Sequence, residues 1–67
     1  MVDKEFSERA AFHAREAAKA IEEQDFRRAA YHFFQAAHCY AVAVDDEVVA
    51  FAAEKAAEMF RDIQDRF

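Results

Sequence analysis

His13, His32, His38 and Cys39 are the side chains in this sequence best able to do chemistry. Imidazole and thiolate can ligate a metal or form a nucleophile pair, so their spacing is the first thing to test. His32 and His38 are six residues apart, and on a helix they point in different directions. Metal pairs on a helix want spacings of three or four. Cys39 follows His38 directly and diverges from it by about 100° on a helix of 3.6 residues per turn. A Cys/His nucleophile also needs an orienting group and an oxyanion site, and no stretch here is long enough to be a loop that supplies them. Each histidine is therefore expected to be a half-buried imidazole. Glu22-Glu23 and Asp45-Asp46 read as solvated caps and turns rather than acid/base pairs. Asp45-Asp46-Glu47 lacks the ligand spacing and the glycine of a calcium loop. There is no Gly-rich phosphate loop, and nothing calls for a cofactor or a metal.

The elements that must position these residues are helices. The chain has 67 residues, 55% of them hydrophobic, 34% charged, with no Gly and no Pro. Much of the hydrophobic share is alanine, the best helix former, and eight Phe supply bulk. Without Gly or Pro the usual turn residues of a sheet protein are missing. The formal charge of −5 argues against a general nucleic-acid binder, which needs a basic surface, and against docking on anionic membrane. No apolar run is long enough for a membrane-spanning helix. The start, Met1-Val2-Asp3-Lys4-Glu5, is too charged for a signal peptide. The lone Cys39 cannot form an internal disulfide and suits a reducing compartment. A soluble, cytoplasmic protein is expected.

Apolar spacing predicts one domain, 1–67, with helices over about 3–23, 26–43 and 46–66. In the first, Phe6, Ala10, Ala14, Ala17 and Ile21 form a stripe flanked by His13 and Ala18, with Asp3 as the cap. In the second, Phe26, Ala30, Phe33, Ala37, Tyr40 and Val44 form the main stripe. Ala29, Phe34, Ala36 and Ala41 widen it, which makes this the middle helix with two neighbours. In the third, Val48, Ala52, Ala56, Met59 and Ile63 line up, supported by Val49, Phe60 and Phe67. Asp25 and Asp45 are the expected caps of the second and third helices, and Val44 and Val49 sit where a hydrophobic staple would put them. Short connections favour antiparallel neighbours, so the expected fold is an all-α, antiparallel three-helix bundle. The absence of Gly at both breaks leaves open one continuous helix spanning a break, with its stripe buried in a dimer.

Two aromatics fall outside the stripes. Phe12 lies among Glu5, Glu8, Arg9, Arg15, Glu16 and Lys19, and Phe51 among Glu47, Glu54, Lys55 and Glu58. Either charged stems cover them, or they meet another chain; both are interface candidates.

Asp25-Phe26-Arg27-Arg28-Ala29, followed by Phe33 and Ala36, resembles the second half of a tetratricopeptide motif, with Gln24 where glycine is usual. Ala17 and Ala20 sit where the preceding helix needs small contacts. Isolated repeats of this kind need an array of about three. The whole chain looks like a microtubule-interacting and trafficking domain, a stand-alone three-helix relative with tetratricopeptide-like packing. That resemblance implies capture of a protein or peptide partner in a groove beside the third helix, with Val49, Ala53, Ala56, Phe60 and Ile63 as groove residues.

Ala30-Tyr31-His32-Phe33-Phe34-Gln35-Ala36-Ala37 is similar to a core helix of HEPN domains, and Arg27 and His32 have the spacing of that family's Arg-x4-His ribonuclease motif. This resemblance implies a dimeric ribonuclease in which Arg27 stabilises developing negative charge and His32 moves a proton. The leading expectation is a non-catalytic protein- or peptide-binding module, with homodimerisation left open; the alternative is the ribonuclease.

Overall fold

In the computed structural model, residues 3–66 are described; Phe67, expected to support the third stripe, and Met1 and Val2 of the charged start lie outside them. The chain is an all-α, antiparallel three-helix bundle made of α1 (Lys4–Glu22), α2 (Phe26–Ala43) and α3 (Glu47–Arg66). Antiparallel order is read from its cross-links. Asp3 N–H donates to the Ala43 carbonyl at 3.0 Å, and His13 meets His32. On the other flank His38 meets the Ala50 carbonyl, and Phe34 stacks on Phe60.

Each helix begins on an aspartate. Asp3 Oδ1 accepts from Glu5 N–H at 3.0 Å and Phe6 N–H at 3.3 Å. Asp25 accepts from Arg28 N–H at 3.1 Å, and Asp46 from Val49 N–H at 3.2 Å. Such bonds satisfy donors that a helix start leaves without partners. The third cap is thus Asp46, one residue later than expected. Asp45 is occupied otherwise: it takes a left-handed backbone conformation, φ 63°, as does Gln24, φ 61°.

Those two residues end α1 and α2 in the same way. Gln24 N–H donates to the Ile21 carbonyl and Asp25 N–H to Ala20; twenty-one residues on, Asp45 N–H donates to Val42 and Asp46 N–H to Ala41. This is the double bond of a Schellman stop, made twice without glycine. Both breaks are therefore true turns, and no helix runs through either. The Val44–Val49 staple does not form its expected role, because with Asp46 as the cap the staple positions are Asp45 and Ala50.

The bundle is open. α2 packs on α1 and on α3, but no Cα of α1 lies within 8 Å of a Cα of α3 among the described residues. The extents are 39 × 21 × 12 Å. Three helices about 9 Å apart in a closed triangle would give a cross-section of roughly 13 × 13 Å, so these lie side by side in one bent layer.

The core explains the shape. Among the described residues the buried ones are Ala17, Ala20, Ala29, Cys39, Ala41, Ala43, Ala50, Ala53 and Ala57, and no large side chain is fully buried. Small residues bring helices close along narrow seams, and each contributes little more than a methyl, about 0.8 kcal/mol. The stripes read from spacing are only partly the contact faces. On α1 the contact runs through His13, Ala17 and Ala20, while Ala14, Ala18 and Ile21 are exposed. On α2 the whole bulky stripe is turned outward: Phe26 is 66% exposed, Phe33 51% and Tyr40 62%.

Candidate functional site

The α2 stripe is the main surface feature of the layer, and helix geometry fixes where it lies. His32 points to α1; Phe34 and His38 point to α3. At 100° per residue, Phe34 and His38 lie about 200–240° around α2 from His32. Phe26, Ala30, Phe33, Ala37, Tyr40 and Val44 fall between these directions on one side of the layer. Tyr31, Gln35 and Val42 fall between them on the other side. That second side is more covered, and Gln35 Nε2 donates to the Tyr31 hydroxyl at 3.2 Å.

The flanking helices extend the apolar side. The same geometry, applied to antiparallel neighbours, puts Ala14 and Ile21 of α1 and Val49, Ala56 and Ile63 of α3 on the side that bears the α2 stripe. Val49 and Met59 are exposed there, Ala56, Phe60 and Ile63 are half-buried, and Ala53 is buried against α2. Of the five groove residues expected on α3, Ala53 is thus part of the seam, Phe60 stacks on Phe34 with centroids 5.5 Å apart, and the other three edge the apolar face.

Phe12 and Phe51 lie on the opposite side. Phe12 is 49% and Phe51 62% exposed, within the range of the α2 aromatics, so exposure does not single them out. Phe12 and His13 meet in a T-shaped pair with ring centroids 5.4 Å apart, and the Lys55 ammonium sits 5.5 Å from the Phe51 ring centroid. Such a contact covers an aromatic with a charged stem.

Arg27 and His32 are not brought together within the chain. Arg27 lines a surface recess with Asp25, Arg28 and Gln64, whereas His32 faces α1. Its partner there is His13, with the two Nδ1 atoms 3.0 Å apart. Burial pushes the His32 imidazole below its ordinary pKa, with Arg28 acting in the same sense and Glu16 opposing. Burial likewise lowers His13, helped by the His32 charge and opposed by Glu16. His38 bonds the Ala50 carbonyl at 2.9 Å. Burial raises the Cys39 thiol above its ordinary pKa, against the pull of Arg9, which keeps it protonated and unreactive. Among the described residues no three His, Cys, Asp or Glu side chains are grouped so as to hold a metal, and no helix is long and apolar enough to cross a membrane.

Sequence spacing located the α2 stripe but assigned it to the interior. A signal that could have placed it outside is its seam of six residues alternating at intervals of four and three, the pattern of a helix that pairs with another helix. Compared with known proteins, the chain matches no family model, no curated protein and no solved structure.

Proposed function

We propose that the chain is a cytoplasmic, non-catalytic protein-binding module that associates through the apolar side of its helical layer. The exposed α2 stripe carries this reading: three aromatic rings and Val44 stand in one row on an outer face. Contiguous apolar surface of this kind marks association sites in small domains. Helix-in-groove recognition reads such rows as anchors at spacings of three and four. The tetratricopeptide-like placement of Ala17, Ala20 and Ala29 is in keeping with this function, since close seams leave the bulky side chains free to face a partner. The groove residues Val49, Ala56 and Ile63 belong to the same surface on this reading.

The test is association measured by light scattering and by capture of polypeptide partners. Phe33→Asp and Tyr40→Asp should abolish binding while leaving the alanine seams and the helical signal intact. Phe51→Asp, on the opposite side, should leave binding unchanged. Association that ignores the two α2 variants and fails with Phe51→Asp would move the site to the polar side.

A further inference from the structure

We infer that the apolar face closes on a second copy of this chain, with the two α2 helices antiparallel about a twofold axis. The inference rests on the association reading above and names its partner.

The composition of α2 is the first support. From Ala29 to Ala43 it contains no Asp, Glu, Lys or Arg. A helix without a charged face is a buried helix. α1 and α3 flank α2 on two sides, and the side bearing the stripe has no cover among the described residues.

The second support is the order of large and small residues along the seam. An antiparallel pair centred between Phe33 and Ala37 sets Phe26 against Val44, Ala30 against Tyr40, and Phe33 against Ala37. Each ring then meets a smaller side chain, which lets facing positions interdigitate. A parallel pair would set ring on ring and alanine on alanine, alternating crowding with voids. Self-complementarity of this kind is what an isologous twofold interface requires. His38 meets the Ala50 carbonyl and Phe34 stacks on Phe60, so the middle of the α2 seam is level with the middle of α3, between Ala53 and Met59. The same axis therefore lays the apolar edge of α3 against that of its copy.

The third support is area. The chain exposes 4937 Å², whereas a compact protein of 7.7 kDa exposes about 4,300 Å². The excess, about 600 Å² per chain, approaches the roughly 800 Å² that each partner contributes to a standard interface.

Sedimentation equilibrium on the full chain should give twice the 7.7 kDa mass. Phe33→Asp should weaken self-association by roughly 30-fold or more, the loss expected on removing a central aromatic anchor. Orientation is read in a Cys39→Ala background by oxidising Phe26→Cys and Val44→Cys chains, alone and mixed. Cross-linking only in the mixture supports the antiparallel pair; cross-linking of either variant with itself overturns it. The cross-links also serve if Phe33→Asp does not fold. A helical wild-type monomer at about 100 µM overturns the second copy but leaves capture of another polypeptide standing. A dimer untouched by Phe33→Asp, Tyr40→Asp and the cysteine pairs overturns both the inference and the association reading.

Discussion

His13 and His32 hold their Nδ1 atoms 3.0 Å apart across the α1–α2 seam. One ring must donate its Nδ1 proton and the other accept it, so at least the accepting imidazole is neutral. Protonating both would set two N–H groups face to face.

This relationship makes stability depend on pH. Both histidines have folded-state pKa values below the ordinary 6.5, chiefly through burial. The native state therefore binds fewer protons than the unfolded chain, and stability rises with pH across the window. The contribution is complete above about pH 6.5 and is lost as pH falls through the lowered folded values. Glu16 opposes the shift in both rings, and Arg28 deepens it at His32. Thermal melts between pH 8 and pH 5 should show a falling Tm that His32→Gln flattens. A pH profile unchanged in His32→Gln would remove the pair as its source.

The left-handed residues give a second expectation. An L-residue with a Cβ in this conformation costs about 1–2 kcal/mol, and glycine removes that cost. Gln24→Gly should stabilise by about 0.5–1 kcal/mol, net of the added freedom of the unfolded chain. Asp45→Gly should stabilise less, because Asp tolerates the conformation better than Gln. Chemical denaturation checks both. A destabilised Gln24→Gly would contradict the turn geometry.

How far these features could be read from sequence depends on their range. Helix count, bounds within one or two residues, and two of three caps followed from local spacing. The third cap was displaced by one residue because Asp45 and Asp46 are chemically equivalent, and only the backbone decides which of them turns left-handed. The stripes failed for another reason. Periodicity says that Phe26, Phe33 and Tyr40 share a face, but not whether that face turns inward. Alanine seams as narrow as Ala17, Ala20 and Ala29 satisfy the helix–helix contacts, which leaves the bulky row on the outside. The His13–His32 pair joins two helices, and no spacing within one helix could announce it.

The caps separate the two adjacent aspartates. Asp46→Ala should cost about 1 kcal/mol, as should Asp25→Ala, lowering Tm by about 4–8 °C in a domain of this size. Asp45→Asn keeps a residue tolerant of the left-handed region and should change Tm little. Calorimetry on the three variants checks the order, and equal losses in Asp45→Asn and Asp46→Ala would return the cap to Asp45.

The alanine seams should tolerate enlargement poorly. Ala17 and Ala20 are fully buried, and a larger side chain there must push α1 away from α2. Ala20→Leu should destabilise by about 1–3 kcal/mol, whereas Phe51→Ala, on an exposed face, should stay within about 0.5 kcal/mol. Urea titration distinguishes them; an Ala20→Leu variant as stable as wild type would mean the seam is loose.

The separation of α1 from α3 sets how the chain comes together and comes apart. Among the described residues each outer helix packs within the chain only on α2, so the structure behaves as two hairpins sharing a strut, in the manner of a linear repeat array. Either outer helix should be able to detach while the other hairpin persists, and the helix–helix contacts among the described residues join helices adjacent in sequence. Loops of a few residues close quickly and with little entropic cost, so assembly should be fast. The slow amides in hydrogen exchange should belong to α2.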